Sequence, residues 1–314
     1  MRIFLIIFLA NFLYSASDSE LIIKAMTFNL KPLEIEKNIF ALDNKSQIEL
    51  GKKLYFDPRI SNSNLISCNT CHNLALGGSN AIATTKTFNR NVPTIFNTAF
   101  NSPNATDGDL NAFKKHLMAH ISETRQNNST AQNALVAKIV AIPSYIVDFK
   151  KAFGNNVSID FERIAQSLLA FQSTLKTQSR FDDFLRGNFK ALSRAEQEGL
   201  DIFIDKGCVN CHSGVNLGGE WVEANKMSGY KFAFSGTKID GKVKVPTLRN
   251  ILESAPYLSN GSSTSLKGVI VTMTKDNISD DEAQKIETFF GALSGKKPTI
   301  IYPQLPMQGV ESVD

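Results

Sequence analysis

Two short stretches place the same reactive side chains at the same spacing. Ser67 to Gly78 reads SCNTCHNLALGG, and Gly207 to Gly219 reads GCVNCHSGVNLGG. Together they take every cysteine of the chain (Cys68, Cys71, Cys208 and Cys211) and two of its 4 histidines, His72 and His212. In an exported protein a Cys-x-x-Cys pair can form a structural or redox disulfide. Thiolates can also bind zinc, but ribbon-type zinc sites space their two pairs closely, and Cys71 lies far from Cys208 in the chain. Neither chemistry needs a histidine directly after the second cysteine. Covalent haem c does. Two thiols at i and i+3 lie on one side of a helical turn and add to the porphyrin's two vinyl groups, while the adjacent imidazole becomes the proximal iron ligand. The pattern predicts two haem c groups, attached through Cys68, Cys71, Cys208 and Cys211, with His72 and His212 on the irons.

The sixth position on each iron decides between relaying electrons and reacting with a small molecule. Met273, in VIVTMTKDN, comes after the second motif and could supply a thioether, which raises the potential of a His-ligated haem; packing in a core is the alternative fate of such a methionine. No methionine is well placed for the first haem. The two other histidines, His116 and His120, fall four apart in AFKKHLMAHISE, and His120 lies nearer the apolar stripe.

The elements that must position these groups are mostly helical. The order Cys-x-x-Cys-His, Gly-Gly, Val-Pro-Thr occurs twice, with Gly77–Gly78 and Val92–Thr94 after the first motif and Gly218–Gly219 and Val245–Thr247 after the second. Around residues 160–175, Ile164, Leu168, Phe171 and Leu175 share a helical face behind an Asp160 N-cap. Ser193 and Glu196 form a capping box for a helix that stops at Gly207, and Ser279 and Glu282 repeat it ahead of Ile286, Phe289 and Leu293. Pro143 divides two helices, and no run of alternating strands stands out. The expected fold is mainly α: two cytochrome c-like haem domains packed against each other. Arg2, the apolar run from Ile3 to Tyr14 and the small residues at 15–17 read as a signal peptide over 1–17, leaving a soluble, exported chain. Domains are then expected at 18–159 and 160–314, divided in the turn-rich stretch Phe153–Asp160. A formal charge of +4 is too small an excess to suggest nucleic acid.

With these features in place the sequence resembles the bacterial dihaem cytochrome c peroxidase family. LGKKLYFDPRIS (Leu50–Ser61), SCNTCHN, RNVPTIFNTAF (Arg90–Phe100), IPSYIVDFKKAFG, GCVNCHSGVNLGG and VPTLRNILESAPYLSNGS (Val245–Ser262) match its pattern in order over essentially the whole mature chain. The resemblance implies a periplasmic enzyme that reduces hydrogen peroxide to water with electrons from a small c-type cytochrome or cupredoxin. It implies a first haem that reacts with peroxide, a second with histidine and methionine ligands, and a calcium ion held by Asn91 and the carbonyls of Ser254 and Pro256. Family members are often dimers. The family also includes an oxidase that acts on a protein side chain, and a plain electron carrier or redox sensor is a third expectation to weigh; Met273 counts against the oxidase.

The sequence departs from the family at three places. Ser79–Asn89, where many relatives carry a histidine that caps the first iron at rest, is short and has none, so an open first site is expected. Thr106 stands where relatives have a tryptophan, and the sole tryptophan, Trp221, lies elsewhere. The catalytic glutamate of relatives counts back near Gln126, leaving Glu123 as candidate proton shuttle and His120 as the fallback.

Overall fold

The computed structural model describes residues 18–34, 44–80, 91–101, 117, 129–223, 238–239, 241–275 and 277–307. In chain order the helices are α1 (18–27), α2 (Lys45–Phe56), the single turn α3 (Cys68–Cys71), α4 (Ser129–Val140), α5 (Pro143–Phe153), α6 (Phe161–Ser173), α7 (Arg180–Leu185), α8 (Arg194–Asp205), α9 (Leu266–Met273) and α10 (Asp280–Gly291). Three short strands, β1 (Trp221–Glu223), β2 (Lys238–Ile239) and β3 (Lys242–Lys244), form one antiparallel sheet in the order β1-β3-β2, with Val222 opposite Val243. The alternation test misses this sheet because strands of two or three residues are too short to establish a period of two. Among the described residues no single helix is long and apolar enough to cross a membrane.

The chain folds as two compact units, each with its own core. The first holds α2 to α6 and residues 298–307; the second holds α1, α7 to α10 and the sheet. This corrects the boundary expected at 159/160, since the chain leaves the first unit only after Lys176. The turn formers of Phe153–Asp160 end one helix and start the next inside a single unit. Asp160 caps α6 by accepting from the Arg163 amide at 3.0 Å, and Ile164, Leu168, Phe171 and Leu175 are all buried in the first core beside Leu54 and Tyr55.

Each unit is built on one close helix crossing. In the first, α2 meets α6 at Gly51, where a β-carbon would overlap the Ser167 carbonyl oxygen. In the second, α8 meets α10 at Gly199, where it would overlap the Lys285 carbonyl oxygen. Only glycine lets the backbones approach this far, and an aromatic residue, Phe171 or Phe289, closes each crossing. The crossing helices α8 and α10 carry the predicted capping boxes, with Ser193 and Ser279 amides donating to Glu196 and Glu282 at 2.8 Å. Ile286, Phe289 and Leu293 are fully buried.

Candidate functional site

Cys68 and Cys71 open and close the one-turn helix α3, so their side chains share a side of the turn. Ser67 starts it, its amide donating to Thr70 Oγ1 at 3.0 Å, and the His72 amide closes it on the Cys68 carbonyl at 2.9 Å. The second motif repeats the closure: the His212 amide donates to the Cys208 carbonyl at 2.9 Å, after Gly207 ends the preceding helix at φ 73°.

Backbone carbonyls downstream of each motif orient its imidazole. His72 Nδ1 lies 3.1 Å from the Pro93 carbonyl oxygen, and His212 Nδ1 lies 3.1 Å from that of Leu217, with the Pro246 carbonyl also bonding the ring. An imidazole that donates from Nδ1 carries its lone pair on Nε2, the tautomer a metal ligand needs. The repeated Gly-Gly and Val-Pro-Thr units build this acceptor. Gly77 and Gly78 both adopt positive φ, turning the chain so that Thr94 Oγ1 donates to the Gly77 carbonyl at 2.6 Å and the Ile95 amide to Gly78 at 2.9 Å. In the second unit Gly219 donates to Val245 at 2.8 Å and Thr247 Oγ1 to Asn216 at 2.7 Å. A β-carbon at Gly218 would collide with the Pro246 carbonyl. The sequence shows this motif repeat, but not that backbone carbonyls of Pro93 and Leu217 serve the histidines; its recurrence at the same place after each Cys-x-x-Cys-His was the available signal.

The donor set fits haem c. No disulfide joins the four cysteines. Burial pushes the Cys68 thiol up to about 12 and the Cys208 thiol up to about 11, and it raises Cys71 as well. Burial holds His212 below the usual imidazole range, against the hydrogen bonds to the Leu217 and Pro246 carbonyls, and so keeps the neutral form that binds iron. No group of three His, Cys, Asp or Glu side chains among the described residues could hold another metal. Tyr55, fully buried, adds a contact the sequence did not announce: its hydroxyl donates to the His72 carbonyl at 2.5 Å.

Met273 ends α9 and is half-buried. Val269, Ile270 and Val271 of the same helix pack in the second core, whereas Met273 is not among the described core residues. Asn91 and Pro256 come together: the Asn91 side-chain amide donates to the Pro256 carbonyl and, at 3.1 Å, to that of Leu258. Asn91 Oδ1 is buried with no hydrogen-bond partner, and an amide oxygen beside backbone carbonyls is the hard-oxygen set that calcium takes. The Ser254 hydroxyl turns back to the Ile251 carbonyl at 3.0 Å, which leaves its own carbonyl as the group in question. Glu123, His120, His116, Gln126, Thr106 and residues 81–89 of the shortened segment lie outside the described residues, as does the signal peptide at 1–17.

Comparison with known proteins places this arrangement. A family model described as di-haem cytochrome c peroxidase matches residues 45–190. The chain is 36% identical over 288 residues to the cytochrome c551 peroxidase of Pseudomonas aeruginosa, spanning 84% of this chain and 83% of that protein. It is 35% identical over 285 residues to the cytochrome c551 peroxidase of Nitrosomonas europaea, spanning 84% of each. Among solved structures, a MauG-like protein associated with microbial copper homeostasis shares the fold, with a TM-score of 0.65 at 21% identity over 85% of this chain and 93% of that one.

Proposed function

The chain belongs to the di-haem cytochrome c peroxidase family, and from that premise we propose that it reduces hydrogen peroxide to water in the periplasm, drawing electrons from a small c-type cytochrome or cupredoxin. One observation carries the reading: twice in one chain, two thiols on one helical turn stand beside an imidazole whose Nδ1 is committed to a backbone carbonyl. When bound, the two haem c groups supply one iron at which the peroxide O–O bond is cleaved and one that takes up and passes on electrons.

This chain's residues do the rest. Cys68 and Cys71 hold the peroxidatic haem, and Cys208 and Cys211 hold the electron-accepting haem. His72 and His212 present Nε2, each fixed by its Nδ1 bond. Met273 would supply a thioether to the second iron, which would raise that haem's potential so that it accepts electrons readily. Glu123 takes the proton from the near oxygen of peroxide and returns it to the far oxygen, which then leaves as water; His120 is the alternative carrier of that proton. Two one-electron donations and two protons balance the reduction of one peroxide to two waters. Asn91 Oδ1 with the Ser254 and Pro256 carbonyls would hold calcium, a cation that would satisfy the buried, unpartnered amide oxygen. Because Ser79–Asn89 contains no histidine, the first iron would rest without a cap from that segment and would need no prior reduction, unless His120 took the place of that ligand.

Steady-state peroxide consumption with a reduced small cytochrome as donor tests the function. Peroxide-dependent donor oxidation is expected, and a protein with both haems attached that does not turn over would overturn the reading. Met273→Leu should abolish the thioether-to-iron absorption band and lower the potential of the second haem; an unchanged spectrum would remove Met273 from the iron.

A further inference from the structure

The two units differ most at one residue of their shared framework. Val92-Pro93-Thr94-Ile95-Phe96-Asn97 in the first matches Val245-Pro246-Thr247-Leu248-Arg249-Asn250 in the second. Both asparagines are left-handed, at φ 60° and 59°, and both backbone amides reach the carbonyl of a leucine beyond the last crossing helix, Leu175 or Leu293. The residue before each asparagine is buried, but it is Phe96 in one unit and Arg249 in the other.

Arg249 forms a fully buried ion pair with Asp182, through Nη2 to Oδ1 at 2.6 Å and Nη1 to Oδ2 at 2.9 Å. Asp182 in turn accepts the amides of Leu33 and Ser179, each at 2.7 Å. The guanidinium has two further bonds, one of them from Nη1 to the Ser179 hydroxyl at 3.3 Å. Its Nε donates at 2.6 Å to the carbonyl of Val215, in the loop between His212 and Leu217. Thr247 holds the next carbonyl, Asn216, and the Leu217 carbonyl at the end of that loop is the acceptor that orients the His212 ring. Taking two charges fully out of water is costly, and a hydrocarbon of similar size is often as stable or more so. Phe96 shows that this framework accepts a hydrocarbon at the equivalent place. Stability alone is therefore a poor reason for the ion pair.

We propose that Arg249, anchored by Asp182, is a positioning residue for the second haem: it fixes the loop that carries the His212 acceptor and thereby sets the ligand field and reduction potential of that haem. The inference rests on haem attachment at Cys208 and Cys211. A planar guanidinium can hold a carboxylate with one edge and a carbonyl with Nε, which an ammonium cannot. A rigid acceptor keeps the imidazole in one orientation and protonation state through reduction and reoxidation, and such outer partners tune a metal's properties.

The test uses the full-length haem-loaded protein and three variants. Arg249→Met with Asp182→Asn removes both charges while keeping an amide oxygen for the Leu33 N–H. Arg249→Lys keeps the charge but loses the fork, and Thr247→Val removes the clamp on the Asn216 carbonyl together with the acceptor of the Arg249 amide, leaving the guanidinium in place. Mass spectrometry counts haem adducts, electron paramagnetic resonance reads the axial ligand field, and a potentiometric titration reads each midpoint. In all three variants the second-haem resonance should shift or broaden and its midpoint should move, least in Thr247→Val, with the first haem unchanged. Variants with both adducts and wild-type second-haem signals would overturn the proposal, as would Arg249→Lys restoring wild-type values, which would mean that charge alone matters. If the double variant does not fold, Arg249→Lys and Thr247→Val decide the question. A wild-type protein lacking the second adduct would overturn the underlying assignment, a result separate from any change in midpoint.

Discussion

Each unit buries one aspartate against one arginine and uses the pair differently. In the first unit Asp57 and Arg59 are two residues apart, ahead of the Cys68 motif. Asp57 caps the turn at Pro58–Ile60, accepts the Tyr145 hydroxyl at 2.8 Å, and leaves Arg59 Nη2 to hold the Pro306 carbonyl at 2.8 Å. In the second unit Asp182 and Arg249 are distant in sequence, and the arginine's spare donor goes to the loop after the Cys208 motif. The first pair fastens the approach to its haem motif and the end of the chain. The second grips the histidine's own support. A common framework thus carries its buried ion pair before the motif in one unit and against the loop after the motif in the other.

The contrast can be broken most severely at Asp182. Asp182→Asn alone leaves Arg249 charged and without its counter-ion in a dry interior, and should cost about 3–5 kcal/mol. Denaturant unfolding monitored by Trp221, the sole tryptophan and part of the second unit, should show the loss. A loss under about 1 kcal/mol, the scale of an exposed ion pair, would mean the pair is not effectively buried in solution.

Asp57→Asn should cost less, because Arg59 keeps some contact with water; losing hydrogen bonds to a charged group suggests roughly 1.5–3 kcal/mol. Burial pushes the Asp57 carboxyl up, but the hydrogen bonds from Arg59 and Tyr145 outweigh it and hold the group below its usual value of 3.8. A depressed carboxylate stabilises the fold above its unfolded pKa, and that contribution fades as pH falls through the lower folded value. The difference in melting temperature between wild type and Asp57→Asn should therefore be full at pH 7 and shrink under acid conditions below the usual carboxylate range. A difference independent of pH would remove the charge from the explanation.

The smallest effects should show the two units behaving alike. Asp160→Ala at the start of α6 and Ser279→Ala at the start of α10 each remove one N-cap acceptor, and each should cost about 1 kcal/mol. Unequal losses, measured by chemical denaturation, would mean that the helix starts contribute to the contrast between the units.

Features encoded by neighbouring residues were legible in the sequence. The Cys-x-x-Cys-His turns, the caps at Asp160, Ser193 and Ser279, and the buried stripes of α6 and α10 depend on spacings of one to four residues, which periodicity reports directly. Long-range choices were not legible. Phe153–Asp160 looked like a boundary because turn formers signal a helix end whether or not a core ends with it; assigning α6 to the first unit depends on Gly51, in a helix more than a hundred residues earlier. The pairing of Arg249 with Asp182 leaves no local trace, since nothing near either residue names its partner. Val-Pro-Thr was visible as a repeat, but its purpose lies in a carbonyl, which every residue possesses.

The connectivity of the two units bears on how the protein is made. Residues 18–34 fold with the second unit, whereas residues 298–307 complete the first, where Tyr302 packs on Phe56 with ring centroids 4.8 Å apart and Ile300 joins the core. Neither unit is a contiguous stretch of chain, so a ribosome delivering the polypeptide from its N-terminus cannot finish either one until nearly all of it has emerged. Such closure over long separations slows folding and keeps the chain open for longer. For a polypeptide expected to be threaded across a membrane and to receive its haems covalently, late closure is an advantage, because the cysteine turns remain within reach of the attachment chemistry. It also means that a truncation after Lys176 should yield a first unit missing one of its walls rather than an independent domain.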